Sequence, residues 1–235
     1  MTPNRPTSFF RAGAAGSRAA LPLLLAAALA ACGSRPAVPD WELNAQGSAT
    51  KATQAFLSGD TRVAELEWSR ARGEVARTGR PDLLARLELL RCAAQRAALD
   101  LSACGAFEAL RADAQPAERA YADYLAGRIA PGELALLPAA QRQAAAAPGD
   151  ARVLRGIDDP LSRLVAASVA VGAAGATDDM VALAVDTASE QGWRRALLAW
   201  LGLQVRQAQA AGNAAGAAAA QRRIDVVLQK GAPGR

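Results

Sequence analysis

There is no histidine anywhere in this chain of 235 residues. General acid–base catalysis most often relies on that side chain, and Ser-His-Asp and Cys-His nucleophile arrangements require it, so both are excluded. Lysine occurs only as Lys51 and Lys230, which leaves a catalytic lysine a narrow opening. No glycine-rich phosphate loop of the Walker or dinucleotide type occurs, so no nucleotide cofactor is expected. Aromatic residues make up only 4% of the chain. Together with few β-branched residues, that shortage argues against a β-sandwich or barrel. Cysteine occurs three times, as Cys32, Cys92 and Cys104. Without histidine, a zinc site would need carboxylates beside thiols, and no metal is expected.

Alanine dominates what is there, and it has the best intrinsic helix propensity because it loses no side-chain entropy on folding. The expected fold class is all-α, with closely packed antiparallel hairpins forming a solenoid or bundle. The net charge is +5, but Arg5, Arg11 and Arg18 precede Cys32 and no acid does. Beyond Cys32 the balance is 24 basic against 22 acidic residues. With no dense basic patch and no interleaved aromatics, nucleic acid is not an expected partner.

Residues 1–31 have the tripartite layout of an export signal: a positive n-region, then 13 apolar residues from Ala19 to Ala31. That run is too short for a spanning helix, which needs about 20 apolar residues. It ends in Leu29-Ala30-Ala31-Cys32-Gly33, which resembles the lipobox of bacterial lipoproteins. The resemblance implies cleavage before Cys32, acylation of Cys32 with two or three palmitate-type chains, and retention on a membrane. Gly33 stands where the family's inner-membrane retention signal usually has Asp, so the implied address is the outer membrane, facing the periplasm. The alternative is an ordinary secreted protein cut at Ala31, with Cys32 a free thiol. Residues 32–43, with Pro36 and Pro39, read as a flexible tether between anchor and body. The chain as a whole also resembles alanine-rich lipoproteins of high-GC Gram-negative bacteria.

In an exported protein the remaining cysteines, Cys92 and Cys104, read as a disulfide across the mouth of a helical hairpin. The alternative is two buried thiols packing as small hydrophobes. Apolar spacing and breakers predict helices over 45–58, 62–77 and 83–99, shorter ones between 107 and 147, and hairpins again over 161–174, 180–191, 193–211 and 214 onward. Ala147-Pro148-Gly149-Asp150 is a turn, and it divides an expected N-terminal helical-repeat region (44–148) from a C-terminal hairpin region (149–235). In the first region, Gly59-Asp60 at a turn followed by Ala64, Trp68 and Ala71 resembles one repeat of the tetratricopeptide type. That resemblance implies helices locked by small residues around one large aromatic. Gly212 and Ala217 echo the pattern, with Gln221 in place of the tryptophan.

Two functions remain in view. The first is a non-enzymatic protein-interaction scaffold, anchored through lipid and engaging an envelope protein. The second is an envelope enzyme acting on peptidoglycan through a single glutamate, with Glu88, Glu118 and Glu133 as candidates. Glu65 and Glu67 read as solvated, and the recurring arginines as surface residues with acidic partners. The oligomeric state is not legible.

Overall fold

A computed structural model of the chain describes residues 38–229. Cys32, the expected export signal over 1–31 and residues 33–37 of the expected tether lie outside the described residues. Eleven α-helices and one 3₁₀ segment account for the regular structure described: α1 (Asp40–Ser58), α2 (Thr61–Ala76), α3 (Pro81–Ala97), α4 (Gly105–Glu108), α5 (Pro116–Leu125), the 3₁₀ segment (Pro131–Leu136), α6 (Ala139–Ala146), α7 (Ala151–Arg155), α8 (Pro160–Ala174), α9 (Asp178–Glu190), α10 (Arg194–Ala210) and α11 (Ala214–Gln229). The fold is all-α, with no strand among the described residues.

Local chemistry sets the helix ends. Gly59 ends α1 in the left-handed region at φ 92°, and Asp60 caps α2 by accepting from the Val63 N–H at 3.1 Å. Asp159 and Thr177 cap α8 and α9 in the same way, and Pro160 occupies the first position of α8, where a missing N–H costs nothing. The first helix begins at Asp40 rather than at Ala45, which corrects the tether: residues 40–43 are helical. Pro39 precedes the helix, and Asp40 and Glu42 in its first turn favour the positive end of the helix dipole.

The α1–α2 hairpin closes on a small core in which Ala45, Ala49 and Ala52 of α1 meet Ala64, Trp68, Ala71 and Val75 of α2. Trp68 is 2% exposed and Ala71 wholly buried. Three alanines one turn apart leave room for the indole, so the two helices approach closely over their length. A larger core joins the other elements. Here α3 packs against α8, α8 against α9, α9 against α10, and α10 against α11.

Contacts distant in sequence tie the two ends together. The Trp193 indole N–H donates to Gln54 Oε1 at 2.8 Å, and Arg195 donates to the Thr61 hydroxyl at 2.7 Å. The Arg195 guanidinium also lies 4.3 Å from the centroid of the Phe56 ring. The buried Trp200 N–H donates to the carbonyl of Ala97 at 3.0 Å. α6 packs on α8 across the 147–150 turn, and the chain from Pro39 onward is one compact unit. That corrects the expected division at 148: the turn is a surface connection with helices packed together on both sides of it.

Candidate functional site

The three glutamates considered for catalysis occupy three separate places. Glu88, on α3, is 3% exposed and forms an ion pair with Arg72 of α2. Glu118, at the start of α5, accepts from Arg86 at 2.9 and 2.7 Å. Glu133 lies in the 3₁₀ segment, half-buried. The carboxylates at 88 and 118 are each held by a guanidinium and do not converge on a shared site.

Two acids of α2 are also engaged. Glu67 accepts from Arg70 at 2.6 Å, and it is buried at 7% exposure, which corrects its expected solvated position. Glu65 accepts from Arg91 at 2.7 Å, so Arg91 bridges from α3 to α2.

Cys92 lies on the buried side of α3, and Cys104 precedes α4. Their Cα atoms are 5.6 Å apart, with the sulfurs within disulfide distance. The intervening chain is sharply turned. Leu99 adopts φ 58°, a left-handed conformation that side chains rarely take, and the Asp100 N–H returns to the Gln95 carbonyl at 3.0 Å. Asp100 accepts from the Ser102 N–H at 3.0 Å and from its hydroxyl. These hydrogen bonds hold the Asp100 carboxyl below its usual range. Arg96, nearly buried beneath this turn, donates to the Ser102 carbonyl at 3.2 Å, and burial pulls its guanidinium below its ordinary value. The sulfurs therefore sit at the centre of a knot that ends α3.

An open space among the described residues lies between α9 and α11. It has a volume of about 440 Å³ and runs from Asp178 and Asp179, past Gln204 and Gln207, to Arg223. The Gln207 amide donates to the Ala176 carbonyl at 2.8 Å, fixing the α8–α9 connection against α10. Asn213 begins α11 by accepting from the Gly216 N–H at 2.8 Å, and a Cβ at position 216 would come within 2.6 Å of that amide. Glycine there lets the cap close. A second space of about 350 Å³ continues beside Leu197, Leu201, Arg222 and Val226.

Of the residues singled out in the sequence, Ala64, Trp68 and Ala71 lie together inside the first hairpin, with Gly59 at its turn. Cys92 and Cys104 are together, and Cys32 lies outside the described residues. The α9–α11 space escaped sequence reasoning, because its polar lining is drawn from three helices and has no linear motif. The acidic Asp178-Asp179 start and the Arg222-Arg223 pair were visible separately. Fold and site together define a class, an all-α protein of packed helical hairpins. No protein-family model, curated protein or solved structure matches the chain.

Proposed function

We propose that this is a lipid-anchored, periplasm-facing lipoprotein that serves as a non-enzymatic interaction scaffold in the cell envelope. The observation that carries this reading is the Cys92–Cys104 pair at disulfide distance. Disulfides persist in oxidising compartments and are rare where thiols are kept reduced. The pair thus agrees with the export signal and lipobox-like Leu29-Ala30-Ala31-Cys32 read from the sequence. No described helix is long and apolar enough to cross a membrane, and in this reading acyl chains on Cys32 supply the attachment. One chain holds only marginally, at about 0.8 kcal/mol per buried CH₂, whereas two or three give stable retention. Helical hairpins offer extended surfaces suited to protein partners.

The anchor is tested by metabolic labelling with radioactive palmitate followed by membrane fractionation. The wild-type chain is expected to incorporate label and to sediment with outer membranes. Cys32→Ala should lose both properties. Label retained by Cys32→Ala, or an unlabelled wild type, would sink this reading.

The oxidised pair makes a second prediction. A disulfide closing a loop of this size, with a sequence separation of 12, stabilises by about 3 kcal/mol in the chain-entropy model. Unfolding in denaturant with and without reductant should show a loss of that order. Thiol labelling of the unfolded, non-reduced protein should leave Cys92 and Cys104 unmodified. Full labelling of both would instead mean that the two sulfurs sit close together as thiols.

A further inference from the structure

α9 and α11 both run antiparallel to α10 and pack on it, with little contact between themselves. The space above α10 is therefore a channel with α9 and α11 as its walls. Ala219 and Arg223 line both of the cavities described above, which are consecutive stretches of that one channel. Its walls carry opposite charge. Asp178 and Asp179 lie at the start of α9, and Arg222 and Arg223 lie in the C-terminal half of α11. All four are exposed.

These charges differ from those that line the α2–α3 interface. On α2 and α3, Arg70, Arg72 and Arg91 are each matched to a glutamate. Around the channel, Asp178, Asp179, Arg222 and Arg223 take part in no ion pair among the described residues. The wall that carries the arginines is also the least covered helix. Only Ala220 of α11 is buried, while Val226 is 55% and Leu228 49% exposed. Ala215, Ala218 and Ala219 of α11 are exposed, with Ala219 lining the channel, and their small side chains let another helix come close.

Directions decide which occupant fits. α9 and α11 are parallel, because each is antiparallel to α10. A helix lying in the channel antiparallel to α11 brings its C-terminal residues to the start of α9. When that helix is the α11 of a second copy, its arginines arrive at Asp178 and Asp179. A two-fold axis then places the first copy's α11 in the second copy's channel with the same pairing. A partner segment carrying one sign of charge would leave one end of the channel unmatched.

We infer that the protein forms an isologous homodimer, with α11 of each copy lying antiparallel in the α9–α11 channel of the other and Arg222 and Arg223 of one copy facing Asp178 and Asp179 of its partner. Apolar contact comes from Val226, which is 55% exposed on α11. The charges set direction and specificity. The inference does not depend on the lipid anchor, since an unacylated chain carries the same channel.

Charge exchange tests it, read by sedimentation equilibrium of the full chain in a density-matched non-ionic detergent. The wild type should be dimeric at micromolar concentration. Asp178→Arg/Asp179→Arg and Arg222→Glu/Arg223→Glu each place like charges at both contacts, and each should raise the dimer Kd by about tenfold or more. Mixed in equal amounts, the two variants become complementary at both contacts and should form a heterodimer within about threefold of the wild-type affinity. A wild type that stays monomeric up to about 100 μM, which corresponds to a Kd weaker than that, would overturn the inference. So would a dimer indifferent to both exchanges, or a mixture that stays monomeric while each variant keeps its helical circular dichroism. Should a double exchange fail to fold, Asp178→Asn and Arg223→Gln decide the matter: each should weaken the dimer about threefold, and unchanged affinity counts against it.

Discussion

Replacing Trp200 with alanine should destabilise the folded chain by about 3–5 kcal/mol, the range for removing a large aromatic from a packed core. Trp200 is wholly buried on α10, among Leu201, Ala196 and the helices that α10 touches. Its indole N–H also donates to the Ala97 carbonyl at the end of α3, 103 residues earlier in the chain. Alanine therefore removes packing volume and leaves a buried carbonyl unsatisfied. Trp200→Phe separates the two effects. It keeps most of the apolar bulk and gives up the hydrogen bond, so a loss of about 1–3 kcal/mol is expected. Chemical denaturation of both variants measures the difference. Because a domain of this kind is stable by only about 5–15 kcal/mol in total, Trp200→Ala should be marginal at 37 °C. A loss below about 1 kcal/mol would mean that α10 contributes little to holding α3 in place.

The contrast between Trp68 and Trp200 shows how much was legible beforehand. Trp68 sits four residues after Ala64 and three before Ala71, and its partners Ala45, Ala49 and Ala52 lie just across the Gly59-Asp60 turn. A short loop forces neighbouring helices to be antiparallel, so period and turn chemistry together identify that interface. Trp200 gives the same periodic signal, but its partner is on α3. Periodicity reports that a face is apolar and says nothing about which distant face it meets. The pairing of α3 with α8 was hidden for the same reason, since five short elements intervene between them.

The missed first turn of α1 has a different cause. Pro36 and Pro39 marked the segment as a tether, although a proline immediately ahead of Asp40-Trp41-Glu42 is also a helix start with acids in its first turn. The channel between α9 and α11 lay beyond sequence reasoning altogether. Its acidic and basic ends are more than forty positions apart, and only the up-down-up course of α9, α10 and α11 sets them along one space.

Glu88 shows the same limit at a single side chain, and it carries the second large effect. In the sequence it is a lone glutamate on an amphipathic helix; in the fold it is buried against Arg72, with its Oε2 lacking a hydrogen-bond partner. The two ends of this pair are unequally placed, for the Glu88 side chain is 2% exposed and that of Arg72 44%. Removing the arginine strands a carboxylate in the α2–α3 interface, whereas removing the glutamate frees a side chain that can turn to water. Arg72→Ala should therefore cost about 3–5 kcal/mol, as for other buried charges left without a partner. Glu88→Gln keeps the shape and discards the charge, and should cost about 1 kcal/mol. Combining Arg72→Met with Glu88→Leu should recover most of the loss, because an apolar pair of similar volume commonly replaces a buried ion pair without penalty. Denaturant unfolding of the three variants gives the order directly. Equal losses for Arg72→Ala and Glu88→Gln would show that solvent reaches Glu88 and that the pair behaves as a surface bridge. Full retention of in vivo function by a stably folded Glu88→Gln variant would further separate this residue's structural role from any catalytic one.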